Sequence, residues 1–288
     1  MDKGGWNQMQ RWQQRLLAII IVLLVIVLGF DVSLYHAIQY EPSELAVNYR
    51  NIKDDKIPTS MNDVSILYFT DLQYGKFEDK ERCDRVFAKI KELNPDILIF
   101  GGDVLDTNTT FDTKTQKYIQ KKFKEIQAPL GKFAVWGEKD QSHKTELKKI
   151  YKKAQVEVLD NRQVSLYNGS SSGIRLIGLS STSDISSATQ KLSSQTFNLL
   201  VCHEPDILVD SSLASKHISL AWAGHSHGTQ ITFPLIGPYK TVSGASKLNR
   251  SHSTDLSFDY DISTGVGCTN LDVRYGAKPE INYYILKK

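Results

Sequence analysis

Cysteine is scarce in this chain, and neither sign of charge dominates. The three cysteines, Cys83, Cys202 and Cys268, are far apart and odd in number. That spacing excludes a zinc-finger ligand set and a disulfide framework. Cys83 falls on a helical apolar stripe and Cys202 ends an apolar strand, positions that suit small buried side chains. The 35 Lys and Arg against 32 Asp and Glu leave a formal net charge of only +3, too little to argue for a nucleic-acid partner. The pairs Lys121-Lys122, Lys148-Lys149 and Lys152-Lys153 read as solvated helix faces. No internal repeat of fixed period is present, which argues against a repeat architecture. The 288 residues suffice for one large domain or two small ones.

One long apolar run stands out against this balance. Leu16 to Phe30 carries no charge and no polar side chain, follows Lys3, Arg11 and Arg15, and is closed by Asp31. A membrane span needs ~20 apolar residues, with a lower limit near ~17. The run is slightly short for that, but Trp12 and Tyr35 can sit in the two interfaces while tilt or local thinning absorbs the mismatch. The residues after Phe30 make a poor signal-peptidase site. An uncleaved signal anchor over 16–36 is the reading favoured over a cleaved signal peptide. The positive flank then places residues 1–15 in the cytoplasm and the rest of the chain outside.

Residues 37–61 read as a connector, punctuated by Pro42 and Pro58, with a short strand near Ala46 to Ile52. From residue 62 onward strands and helices alternate. Ser65–Thr70, Asp96–Phe100, Lys132–Trp136 and Val156–Leu159 read as strands. The spacing of Cys83, Val86, Phe87, Ile90 and Leu93, the charged segment Phe111–Ile126 and the trio Leu147, Ile150 and Tyr151 read as helices. The second half is richer in strands, expected at 164–167, 174–179, 197–202, 218–223, 229–233, 259–263 and 280–286. This pattern suits an α/β fold of two stacked sheets flanked by helices.

Five polar segments follow five of these strands. They are Asp71-Leu72-Gln73, Gly102-Asp103, Gly137-Glu138-Lys139-Asp140, Cys202-His203-Glu204 and Gly224-His225-Ser226-His227-Gly228. Together they offer carboxylates, an amide and imidazoles, the ligands of hard and borderline divalent cations. Ligands gather at the carboxyl ends of strands in α/β sheets, so segments scattered in sequence can converge in space. His36, His143, His217 and His252 have no such context and read as ordinary histidines.

In order and content these segments resemble the motifs of the calcineurin-like metallophosphoesterases: D-x-H, G-D, G-N-H-D, H and G-H-x-H. The resemblance runs from about Val64 to Leu286. Thr264-Gly265-Val266-Gly267, Arg274 and Pro279-Glu280-Ile281 resemble the end of a membrane-anchored bacterial subgroup. The resemblance implies a four-layer αββα sandwich of two mixed sheets, preceded here by one transmembrane helix. It also implies two divalent metal ions (Mn²⁺, Fe or Zn²⁺) bridged by Asp103, with Asp71 and His227 on one, His203 and His225 on the other, and Gln73 and Glu138 at two further ligand positions. The metals would activate a hydroxide and offset charge on the leaving oxygen.

Three positions depart from the family pattern. Gln73 replaces a His, Glu138 an Asn, and Lys139 the His that assists the leaving group. Lys139 carries a charge that can stabilise a developing oxyanion, and Asp140 is expected to support it. Glu138 and Lys139 add opposite charges at neighbouring positions, so the changes can compensate. The expected activity is hydrolysis of a phosphomonoester or phosphodiester, with lipid headgroups, envelope polymers and nucleotides as candidate substrates. A non-catalytic binding protein of the same fold is the alternative, supported by Lys139. A nuclease ranks lower, because no aromatic and basic strip is evident.

Overall fold

The computed structural model describes residues 3–107, 109–180, 184–250 and 256–288, and side chains from residue 10 onward. His252 lies outside the described residues. In chain order the elements are α1 (Lys3–Gln39), β1 (Ala46–Lys53), β2 (Ser65–Phe69), α2 (Lys80–Leu93), β3 (Ile97–Phe100), α3 (Thr113–Glu125), β4 (Gly131–Ala134), α4 (Lys144–Lys153), β5 (Val156–Val158), β6 (Arg162–Tyr167), β7 (Gly173–Leu179), α5 (Ile185–Ala188), β8 (Asn198–Cys202), β9 (Leu220–Ala223), β10 (Thr232–Phe233), β11 (Gly237–Pro238), β12 (Asp259–Ile262) and β13 (Glu280–Lys287).

Two mixed sheets result. The larger runs β1-β13-β2-β3-β4-β5 and the smaller β12-β9-β8-β7-β6. In the larger sheet β13 and β2 pair antiparallel and the other neighbours parallel. Strands β2, β3 and β8 are buried along their whole length, because both faces of each sheet are covered. Ile66, Tyr68, Ile97 and Ile99 of the larger sheet meet Leu176, Leu199, Val201 and Trp222 of the smaller one in the middle core. On the outer face of the larger sheet, Leu67, Phe69, Leu98 and Phe100 pack against Cys83, Phe87, Phe123 and Tyr151 of α2, α3 and α4. The outer face of the smaller sheet is covered by α5 and short 3₁₀ turns through Leu208 and Leu213.

The αββα arrangement is therefore present, with a thin fourth layer. Residues 46–53, within the expected connector, form an edge strand that pairs parallel with β13 over its whole length. The strand expected over 229–233 shrinks to Thr232–Phe233. Thr229 and Gln230 have φ of 56°, a left-handed backbone that cannot extend a strand.

Helix α1 is the one helix among the described residues that is long and apolar enough to cross a membrane. It runs past Asp31 without a break. Its last turns dock on the domain: Ser33 Oγ donates to Tyr275 Oη at 3.0 Å, and Arg274 N donates to Ala37 O at 3.1 Å. Ala277 N donates to Glu41 Oε1 just beyond the helix.

Candidate metal centre

The polar segments do converge. Asp71, Asp103, Glu138, His203 and His225 follow β2, β3, β4, β8 and β9, all at the carboxyl ends of parallel-paired strands. The chain must turn sharply there to bring side chains inward. Asp71, Gln73, Asp103, His225 and His227 all have φ between 50° and 64°. Such conformations cost on the order of 1–3 kcal/mol each in non-glycine residues and persist where the surroundings over-determine them. Glycines permit the close approach of the turns. A Cβ on Gly137 would lie 2.0 Å from Asp103 Oδ1, and one on Gly102 (φ 100°) would lie 2.5 Å from Gly137 N.

Each imidazole is oriented from behind by a backbone carbonyl. His203 Nδ1–H donates to Gly101 O at 2.7 Å, His227 Nδ1–H to Gly267 O at 3.0 Å, and His225 Nε2–H to Ser243 O at 2.6 Å. A carbonyl can only accept, so these contacts assign the tautomers. The opposite nitrogens face the carboxylates. His203 Nε2 lies 3.0 Å from Glu138 Oε2, 3.4 Å from Asp103 Oδ2 and 3.8 Å from Asp71 Oδ1. His225 Nδ1 lies 3.0 Å from Glu138 Oε2, and His227 Nε2 lies 3.4 Å from Asp71 Oδ1.

Two of these atoms are orphans. His203 Nε2 and Asp71 Oδ1 are buried and have no hydrogen-bond partner, although other polar atoms are near. Acceptors that face one another with no proton between them are what a bound cation satisfies. Ligand atoms held about 2.0–2.2 Å from one ion sit roughly 3–3.5 Å from one another, the spacing seen here. Among the described residues, Asp103, Glu138, His203 and His225 each place one ligand atom within 4.8 Å of the others. The donor set fits a divalent metal with mixed N and O preference.

Electrostatics agree. Burial disfavours charge throughout, yet His203 and His225 hold the Glu138 carboxyl well below its usual range. Burial likewise opposes ionisation of Asp71, but His227, His203 and His225 bring it below its usual value. Burial, with the nearby charges of Arg274 and Lys139, pushes His227 down to about 3, leaving it a neutral ligand.

Gln73 and Lys139 face each other. Lys139 Nζ donates to Gln73 Oε1 at 2.6 Å, to Thr269 Oγ1 at 3.0 Å and to Asp106 Oδ1 at 3.4 Å. Gln73 Nε2 donates to Asp103 Oδ2 at 3.0 Å. Asp140 is fully buried and turned to the backbone: it accepts from the amides of Asp103, Gly137 and Val104 at 2.9–3.0 Å. It positions Asp103 and does not face the ligand cluster.

Several contributors lie outside the five polar segments. Arg274, with no exposed surface, donates to the carbonyls of His227, Thr264, Ala277 and Gly267, and so fixes the acceptor that orients His227. Thr70 Oγ1 and His225 N both donate to Asp71 Oδ2. Gln230 holds Thr269 in place through its main chain.

Known proteins resemble this chain. The family model for calcineurin-like phosphoesterases matches residues 64–229. Two Bacillus subtilis (strain 168) proteins, the uncharacterized metallophosphoesterases YkuE and YkoQ, are similar along most of their length. YkuE is 27% identical over 86% of this chain and 87% of its own, and YkoQ is 25% identical over 82% and 92%. A Danio rerio transmembrane protein with metallophosphoesterase domain is 21% identical over 96% of this chain and 63% of its own. The matched segment spans more than half of the 288 residues and contains all seven candidate ligands, and the chain belongs to the calcineurin-like phosphoesterases, hydrolases of phosphoester bonds.

Proposed function

We propose that this chain is an exported, membrane-anchored hydrolase whose metal centre faces the outer surface of the bilayer and cleaves amphiphilic phosphoesters. The observation that carries the hydrolase reading is the set of three imidazoles, each fixed from behind by a carbonyl and turned toward Asp71, Asp103 and Glu138. A divalent ion held there supplies a water of lowered pKa and positive charge against the phosphoryl oxygens. Asp103 is anchored by Asp140 and by the Lys139 amide, so its Oδ2 is presented inward without freedom to rotate.

The substrate class is supported by the surroundings of the site. A cleft of about 270 Å³ beside His227 is lined by Ile231, Tyr239, Val242 and Leu271. The adjoining β10–β11 turn leaves Leu235 and Ile236 exposed. Phe233 of that hairpin packs on Tyr275, with ring centroids 5.3 Å apart. Tyr275 in turn bonds Ser33, one turn of α1 beyond the end of the apolar run. The cleft, the apolar tip and the anchor are thus continuous, which suits a lipid-like tail.

The test uses the full chain in detergent micelles with Mn²⁺ or Zn²⁺. Bis(p-nitrophenyl) phosphate should be hydrolysed by the wild type, and Asp103→Asn should lose at least ~10²-fold, the scale of a lost transition-state contact. Diesters of p-nitrophenyl phosphate with long alkyl chains should show a lower KM than the methyl diester, and Ile236→Asp should erase that difference. Absence of turnover from folded, metal-loaded protein would favour the non-catalytic binding role instead.

A further inference from the structure

We propose that the centre holds one tightly bound divalent ion, between Asp103, Glu138, His203 and His225, and that Lys139 and Gln73 close the neighbouring position to a second. This inference rests on the hydrolase reading for its metal and departs from the pair of ions that the family pattern implies.

The amide of Gln73 is the deciding group. Its oxygen accepts from the Lys139 ammonium at 2.6 Å, so that oxygen is turned away from the cluster. A flipped amide would set two donors against each other at Lys139 and a carbonyl oxygen against the Asp103 carboxylate, so the observed orientation is the one the partners enforce. The amide nitrogen then points at Asp103 Oδ2 and uses one of its lone pairs. Asp103 Oδ1 is already engaged by the Lys139 backbone amide at 3.0 Å. Asp103 Oδ2 keeps one lone pair for one ion and has lost the second, with which the same oxygen would bridge to another ion.

The second position retains Asp71 Oδ1 and His227 Nε2, 3.4 Å apart. Two protein donors fall short of the three that open zinc sites keep. A fixed charge also stands beside it: the Lys139 side chain is largely buried and its three hydrogens meet three oxygens, of Gln73, Thr269 and Asp106. Thr269 is itself anchored by Gln230, so the clamp is built and not incidental. Lys139 is here a positioning residue that sets the direction of the Gln73 amide. The Asp71, Asp103 and Glu138 carboxylates face one divalent ion and one ammonium, a balanced set of charges.

The measurement is metal content per chain and the spin state of bound Mn²⁺. The full chain in micelles is saturated with Mn²⁺, freed of excess by gel filtration, and examined by elemental analysis and electron paramagnetic resonance. The wild type should retain one ion with the six-line spectrum of an isolated Mn²⁺. The double variant Gln73→His, Lys139→His should retain two, with a spectrum broadened by coupling at the ~3.5–4 Å expected of paired ions. Two coupled ions in the wild type would overturn the proposal. One ion in a folded double variant would overturn the role given to the clamp. Should that variant not fold, Lys139→Ala frees the amide oxygen without adding a ligand; a second ion is again expected, and failure to bind it overturns the clamp. Wild-type protein that retains no ion would sink the hydrolase reading itself, a result distinct from all of these.

Discussion

At the residue scale the site brings together five left-handed non-glycine residues and two buried polar atoms without a hydrogen-bond partner. The left-handed conformations of Asp71, Gln73, Asp103, His225 and His227 are the local signature of the site. One buried acid outside it makes a separate, checkable statement. Glu78 is 2% exposed, and burial pushes its carboxyl up to about 8 from 4.5, against the pull of Arg82 and Arg274. Its folded value lies above its unfolded value, so the folded state holds a proton that the unfolded state has released. Its contribution is complete below about pH 4.5 and is lost as pH rises toward about 8. Glu78 alone should tilt stability downward over that window by up to about 1.4 kcal/mol per pH unit. Chemical denaturation of Glu78→Gln at several pH values should show the slope flattened and the variant more stable than wild type near pH 8. An unchanged slope would mean that water reaches the carboxyl.

At the element scale the two sheets are joined by aromatic packing under the site. Trp222 of β9 stacks on Tyr284 of β13 with ring centroids 4.2 Å apart and planes at 20°, and it meets Tyr68 of β2 at 5.3 Å. Trp222 sits just ahead of Gly224-His225, so the stack fixes where that turn leaves the sheet. Trp222→Ala should cost about 3–5 kcal/mol, the usual range for a large aromatic in a closed core. Trp222→Phe keeps a ring in the stack and removes an indole N–H that has no partner, so urea denaturation should place it much nearer the wild type. Equal losses in both would deny the stack its role. The strands that matter here were legible in the sequence because they are short, apolar and end at polar segments. The short strand expected near Ala46 to Ile52 is present as β1, a partly exposed edge strand whose polar residues resemble those of the connector around it. The strand near Thr229 was overread because left-handed φ angles leave no trace in hydropathy. In the site, motif spacing singled out the seven candidate ligands, of which Asp103, Glu138, His203 and His225 form one tight cluster among the described residues. It could not reveal that Gln73 is turned by Lys139, or that Asp106, Thr269 and Arg274 hold the cluster from outside, since those contacts join residues far apart in sequence.

At the scale of the whole molecule the last turns of α1 dock, through Ser33 and Ala37, on the segment that carries Arg274 and Tyr275. Arg274 orients the carbonyl of Gly267, which orients His227, so the chain of contacts runs from the membrane helix to the metal centre. The proposed topology, with Arg11 and Arg15 before the apolar run and the whole domain after it, would put the domain outside by the charge rule. Protease added to right-side-out vesicles should therefore digest the domain and leave a short protected fragment, whereas inverted vesicles should protect it. The reverse pattern would put the centre on the cytoplasmic face and replace the outer-leaflet substrate with one from inside the cell. Release of the chain by salt or carbonate washing would reduce α1 to a surface-bound helix, since a spanning helix with 15 uncharged residues in its core is not extracted by either. The continuity between anchor and cleft predicts one more consequence of that topology: moving the hairpin off the bilayer, by lengthening the chain between Phe30 and Ser33, should weaken turnover of membrane-borne diesters while leaving the soluble methyl diester unaffected.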